Sequence, residues 1–219
     1  MKIWDVKQGS DEWHLLRAGI PTASNFGKII TPAGRPSKQA EKYIYKCIAE
    51  IAAGEPEAPG STNEWMERGL ELEQEAADWY AMQTGSDVRT VGFVTDDQQR
   101  WGASPDRLIY DGDVIVGGVE IKCPAPWTFV KNAIGNELPS KYIPQVQGQI
   151  YIGELPWVDW VVYHPLFGGL AVRVLPDDEF CATLENCLLG FDEKKEVLLA
   201  DFRKTYTVSE LDTEIGGQK

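Results

Sequence analysis

Val116-Gly117-Gly118-Val119-Glu120-Ile121-Lys122-Cys123-Pro124 is the stretch on which the reading of the fold turns. Successive side chains of a β-strand point to opposite faces. As a strand, this segment sets Val119 and Ile121 against a core and turns Glu120 and Lys122 together into one cleft. Upstream, Arg107-Leu108-Ile109-Tyr110 reads as a second strand, and Asp111-Gly112-Asp113 is the turn joining it to Val114-Ile115-Val116. Thr90–Asp96 carries another strand pattern. Downstream, YIPQVQGQIYIGEL (142–155) predicts a helix, and VDWVVYHP (158–165) and GLAVRVLP (169–176) predict two antiparallel strands. A final helix is expected over about residues 177–204.

The first third of the chain reads as helices. Trp13, Leu16 and Ile20 recur at helical spacing in the DEWHLLRAG segment (11–19), which Pro21 terminates. Ser24 is placed to cap a second short helix ending near Ile30. TPAGRPS (31–37) is a turn. Over 37–53, Tyr43, Ile44, Cys47, Ile48 and Ile51 form an apolar helical stripe; GEPEAPGS (54–61) interrupts it. A longer helix follows from Thr62 to Gln83, with Leu72, Ala76, Trp79 and Tyr80 at packing spacing and Gly85 as its C-cap. Helices first, then strands mixed with helices, give an α/β (α+β) fold: a central mixed β-sheet flanked by helices. One domain is expected over residues 1–207, with a fraying tail at 208–219.

Composition narrows the class of function without naming one. The chain has 219 residues, 43% of them hydrophobic, and eight tryptophans, which is too apolar for a disordered polymer. It lacks both a membrane-spanning apolar run and a signal-peptide core near its start, so a cytoplasmic location is expected, with no membrane partner. Cys47, Cys123, Cys181 and Cys187 show no Cys-x-x-Cys spacing, and His14 and His164 stand far apart, which argues against a compact zinc or iron–sulfur site. A net charge of -13 argues against a protein that coats DNA through general charge attraction. It is compatible with an enzyme whose acidic ligands are neutralised by divalent ions beside a local basic channel.

The chemistry-bearing residues cluster around the opening stretch. A carboxylate can hold Mg²⁺, and an ammonium beside it can orient a water or stabilise charge developing on phosphate. Glu120 and Lys122 alone also fit a solvated strand face. Asp106, after Pro105 and just before a strand, adds a carboxylate that can converge on them. Pro105-Asp106…Glu120-Ile121-Lys122 is the chemical pattern of a PD…ExK nuclease.

With the remaining segments, the chain resembles the lambda-phage-type exonucleases of the viral recombinase family, within the PD-(D/E)xK nuclease superfamily. The resemblance runs through QGSDEWHLLRAGIPTAS (8–24), RGLELEQEAADWY (68–80), ASPDRL (103–108), VEIKCP (119–124) and YIPQVQGQ (142–149). It implies a restriction-endonuclease-like core and magnesium chemistry. Asp106 and Glu120 would be the metal-binding carboxylates, joined by the backbone carbonyl of Ile121. Lys122 would stand beside the attacking water, and Gln145 would orient that water or the lysine. Glu73 would serve a second Mg²⁺, with Mn²⁺ as a substitute ion. Read singly, Glu73 belongs to a run with Glu67, Glu71 and Glu75 that could merely solvate a helix, and Gln145 could bridge backbone groups.

The same resemblance implies a pocket for a DNA 5′-phosphate formed by Arg17, Ser24 and Ser104. An arginine fork and two hydroxyls can satisfy several phosphate oxygens without reading base sequence. Singly, Arg17 reads as surface charge, Ser24 as a helix cap and Ser104 as a turn residue. Trp13 is expected to support Arg17, and Trp65 and Met66 to pack or to part the strands. Lys28, Arg35, Lys38, Lys131 and Lys141 are further candidates to line DNA. The expected activity is processive 5′-to-3′ digestion of linear double-stranded DNA. It would release 5′-mononucleotides and leave a 3′ overhang for recombination. A homotrimeric ring and a single-strand annealing partner are also implied. The rival readings are a non-processive or restriction-type nuclease and a non-catalytic DNA-end-binding recombination protein.

Overall fold

The computed structural model describes residues 1–57 and 64–206, with side chains in the second stretch described from Glu71 onward. Trp65, Met66 and Glu67 as side chains, and the tail at 208–219, lie outside the described residues. The strands are β1 (Lys2–Trp4), β2 (Asp87–Arg89), β3 (Phe93–Thr95), β4 (Gly102–Ala103), β5 (Arg107–Asp111), β6 (Val114–Lys122), β7 (Val158–His164) and β8 (Gly168–Val174). The helices are α1 (Asp11–Arg17), α2 (Ala40–Ala53), α3 (Glu64–Thr84), α4 (Pro126–Gly135), α5 (Ile143–Gly153) and α6 (Asp178–Thr205).

The central sheet has the order β2-β5-β6-β7-β8. It is mixed: β6 and β7 run parallel, with Glu120 opposite Trp160, and the other neighbours are antiparallel. A parallel neighbour requires a crossover. Here α4 and α5 lie between β6 and β7 in the chain. A smaller antiparallel sheet, β1-β3-β4, stands beside the first, and the sequence reading had anticipated only its middle strand. Two- and three-residue strands carry too little periodicity to announce themselves.

Strand alternation divides the core in two. Val119, Ile121, Val161 and Tyr163 pack with Ala76, Ala77 and Tyr80 of α3 on one face. Trp160 and Val162 face the opposite way, with Val146 and Ile150 of α5 and Leu184 and Leu188 of α6. Gly148 makes close approach possible there: a Cβ at that position would meet the Phe26 ring at 2.5 Å. Phe26 belongs to a 3-10 helix at Ala23–Lys28, so this glycine lets α5 lie directly on the segment that carries Ser24. That short helix begins after Thr22, not at Ser24 as the sequence suggested, and Ser24 sits within its first turn. Among the described residues, no helix is long and apolar enough to cross a membrane.

Candidate active site

Asp106 precedes β5 and is joined to β6 twice. Its N–H donates to the Val119 carbonyl at 3.1 Å, and its Oδ2 accepts the N–H of Ile121 at 2.6 Å. The carboxylate is thereby fixed against the strand that carries Glu120 and Lys122. Upstream, the Gln8 amide donates to the Val91 and Pro105 carbonyls at 2.8 and 2.9 Å, clamping the approach to Asp106. Gln8 was quoted in the sequence only as part of a motif, and its role is visible only where distant segments meet.

Glu120 is 2% exposed and faces α5. Its Oε1 accepts hydrogen bonds from Lys122 Nζ and, at 2.5 Å, from Gln145 Nε2; its Oε2 accepts from Gln149 Nε2. Asp106, Glu120, Lys122 and Gln145 are thus brought together from the approach to β5, from β6 and from α5. Gln149 was not singled out in the sequence, although its spacing of four residues from Gln145 on a helix placed both on one face. The Lys122 ammonium also lies 5.5 Å from the centre of the Tyr142 ring, and Lys141 lies 4.6 Å from the same ring. Lys141 therefore flanks the cluster.

Burial, reinforced by the negative charges of Glu120 and Glu73, holds the Asp106 carboxyl well above the usual carboxylate range. Burial opposes the charge on Lys122, but Glu120 and Asp106 outweigh it and hold the ammonium above its ordinary value. Lys122 is therefore a charged donor at neutral pH. Oxygen ligands of this kind suit Mg²⁺, and a cation bound beside Asp106 would favour its ionised form. The donor set fits a divalent cation held by Asp106 and Glu120 with a backbone carbonyl. Among the described residues, no group of three His, Cys, Asp or Glu side chains is close enough to enclose a metal by itself.

Glu73 takes a different position from that of Glu120. Its Oε1 accepts from the buried Arg107 guanidinium at 2.7 Å, and Arg107 also binds the Asp106 carbonyl at 2.6 Å and Gln74 at 3.0 Å. Arg107 thus ties α3 to the start of β5. Glu73, Asp106 and Arg107 line a cleft of about 470 Å³ whose other wall includes Lys7 and Gln8. Arg107 lies inside the ASPDRL segment, but nothing local marks it, because its partners come from a helix more than thirty residues earlier.

A second cavity, of about 600 Å³, is lined by Arg17, Asn25, Tyr43, Lys46 and Glu50 among others. The Arg17 guanidinium stacks 3.6 Å from the centre of the Trp13 ring, and its Nε is buried with no hydrogen-bond partner. Burial pulls Arg17 down to about 10, which leaves it charged at neutral pH. Trp13 supports the arginine, and its indole N–H donates to the Gly92 carbonyl and to Ser104 Oγ at 3.0 and 3.2 Å. Ser24 is exposed and shares a 3.2 Å hydrogen bond with Thr22, whose backbone bridges to Gly102. Arg17 and Ser104 thus share Trp13 as a neighbour, whereas neither Ser104 nor Ser24 lines the Arg17 cavity. Lys28 donates to Asn25 Oδ1 at 2.7 Å, on the cavity wall.

A mixed sheet flanked by helices, with one carboxylate just ahead of β5 and a second carboxylate and a lysine on β6, defines a restriction-endonuclease-like nuclease fold of the PD-(D/E)xK exonuclease type. Residues 12–156 match the YqaJ-like viral recombinase domain, and the chain belongs to that family. An alkaline exonuclease from Laribacter hongkongensis is similar over 91% of this chain and 100% of its own, with 29% identity and a TM-score of 0.80. The same enzyme in complex with dAMP aligns at 28% identity and a TM-score of 0.79, covering 90% of this chain and 97% of that one. A phage-related exonuclease from Haemophilus somnus shares the fold at a TM-score of 0.64 and 15% identity, over 84% of this chain and 96% of its own. No curated protein sequence matches the chain.

Proposed function

We propose that the protein is a Mg²⁺-dependent exonuclease that digests linear double-stranded DNA from 5′ ends, releasing 5′-mononucleotides and leaving a 3′ overhang. Its family and its likeness to the alkaline exonuclease support a nuclease acting on DNA. The convergence of Asp106, Glu120, Lys122 and Gln145 on one cluster is the observation that carries metal-dependent cleavage, while the 5′ polarity and the products follow from the family resemblance. In this reading Asp106 and Glu120, with the Ile121 carbonyl, hold the ion. A bound Mg²⁺ would acidify a water and stabilise charge on the phosphoryl group. Lys122, kept cationic by its two carboxylate neighbours, positions the nucleophile and stabilises phosphate oxygen charge. Gln145 holds Glu120 and leaves the lysine correctly placed. Glu73, oriented by Arg107 beside Asp106, is the side chain available to a second ion.

Arg17, with Ser104 and Ser24 nearby, would receive the terminal 5′-phosphate. The buried, unpartnered Nε of Arg17 supports this assignment, because an anion would supply the missing acceptor. A globule of this length has a radius of gyration of roughly 17 Å, too small to enclose a duplex, so processive digestion calls for a ring of copies, and the family resemblance implies that the ring is a trimer. The deciding experiment is digestion of 5′-phosphorylated linear duplex and closed-circular duplex, with strand-resolved products. Loss of the 5′-ended strand in Mg²⁺, none in EDTA and an intact circle are expected. Cleavage of the circle, or digestion from 3′ ends, would replace this reading with that of a different nuclease.

A further inference from the structure

Gln149 carries a role that the catalytic cluster does not explain. Buried glutamines on α5 come in two kinds. Gln147, 4% exposed, is satisfied at both ends: its Nε2 donates to the Leu175 carbonyl at 2.9 Å and its Oε1 accepts the Asp177 N–H at 3.0 Å. Gln149, 1% exposed, is satisfied at one end only. Its Nε2 donates to Glu120 Oε2, and its Oε1 is buried without a partner.

The orientation of that amide is dictated by chemistry. An ionised carboxylate accepts hydrogen bonds and cannot donate them, so the NH₂ end of Gln149 must face Glu120 and the carbonyl must face away. Leaving that carbonyl unpaired in the interior is unfavourable, and an apolar side chain of the same size would avoid the penalty. The compensation lies at Glu120. Lys122 and Gln145 both engage Oε1, whereas Gln149 engages Oε2, so the carboxylate is held at both oxygens. Gln149 does so as a neutral donor, adding no positive charge to compete with a cation.

We propose that Gln149 is a positioning residue that fixes the rotation of the Glu120 carboxylate for divalent-cation binding, a role that rests on Glu120 being a metal ligand. Hydrogen bonds behind a ligand usually carry about 10–100-fold of metal affinity. The test compares the parent chain with Gln149→Met, which keeps the volume without the amide, and Gln149→Asn, whose amide is one methylene short. Mg²⁺ alone is titrated into each DNA-free chain by calorimetry, and thermal unfolding is followed in EDTA.

Both variants are expected to bind Mg²⁺ about 10–100-fold more weakly than the parent. In EDTA, Gln149→Met exchanges the unpaired Gln149 carbonyl for a Glu120 Oε2 that has lost its donor, so it should still unfold cooperatively but somewhat below the parent. The Mg²⁺ concentration for half-maximal turnover should rise in parallel. Unchanged Mg²⁺ affinity in either variant would overturn the proposal while leaving Glu120 as a ligand. Failure of both variants to fold would make Gln149 a purely structural residue. A parent chain that takes up no Mg²⁺ would overturn the metal reading, and this inference with it.

Discussion

Asp106 and Ile121 are joined by a 2.6 Å hydrogen bond from the Ile121 N–H to Asp106 Oδ2, between residues fifteen positions apart. This bond belongs to no regular ladder. It spends one carboxylate oxygen on holding the other in place, next to the strand that carries Glu120 and Lys122.

Asp106→Asn tests the charge separately from the geometry. Asparagine retains an acceptor for the Ile121 N–H but loses the negative charge. Metal-ion stabilisation is worth several kcal/mol in the transition state, so Mg²⁺-supported turnover should fall by at least about a thousandfold. The thermal midpoint in EDTA should not fall, because a buried carboxyl that resists ionisation has been replaced by a neutral amide. Initial rates and a melting curve on one preparation decide the matter, and retained turnover would remove Asp106 from the metal site.

Lys122→Ala should separate chemistry from binding. Removing one donor to developing charge typically lowers turnover by about 10²–10³. Duplex affinity in EDTA, read by fluorescence anisotropy, should stay within about threefold, because Lys122 contacts Glu120 and Tyr142 within the cluster and is not spread along a DNA track. An equal loss of binding and turnover would make it a general phosphate contact instead.

Arg17→Ala addresses end recognition. Charge-assisted hydrogen bonds contribute about 1.5–3 kcal/mol, and tenfold corresponds to about 1.4 kcal/mol. The wild-type preference for a 5′-phosphorylated over a 5′-hydroxyl duplex should therefore shrink by about ten- to a hundredfold. Matched initial rates on the two substrates measure it. A mutant that keeps the full preference would place the phosphate elsewhere.

Tyr80→Phe should affect stability and spare the reaction. Tyr80 Oη donates to the buried Asp159 at 2.6 Å, and Arg173 binds both oxygens of the same carboxylate at 2.9 Å. Loss of one hydrogen bond, with Arg173 still in place, should destabilise the chain by about 1 kcal/mol. For a chain of this size that lowers the thermal midpoint by roughly 2–4 °C. Turnover at 25 °C should be unchanged to within about twofold; a large loss would show that α3 transmits strain to Glu73.

Much of this molecule was determined by local pattern. The two-residue period of Val119-Glu120-Ile121-Lys122 sent the apolar pair towards α3 and Glu120 towards α5, because adjacent side chains of a strand cannot share a face. Of the predicted helical stripes, Tyr43, Ile44, Cys47, Ile48, Ala76 and Tyr80 are buried, and Ile51, Leu72 and Trp79 are half-buried at their edges. Gly112, between Asp111 and Asp113, turns the chain with a φ of 62°, which glycine adopts without steric penalty. Tertiary structure alone decided what lies between those elements. The short strands β1 and β4 exist because they pair with β3, and no local period marks them. The partners of Arg107 on α3, the approach of Gln149 to Glu120 and the stacking of Arg17 on Trp13 depend on how helices dock on sheets. Local sequence sets which face a side chain takes, whereas its partner across space is chosen only when distant segments close on one core and their buried polar groups must find one another.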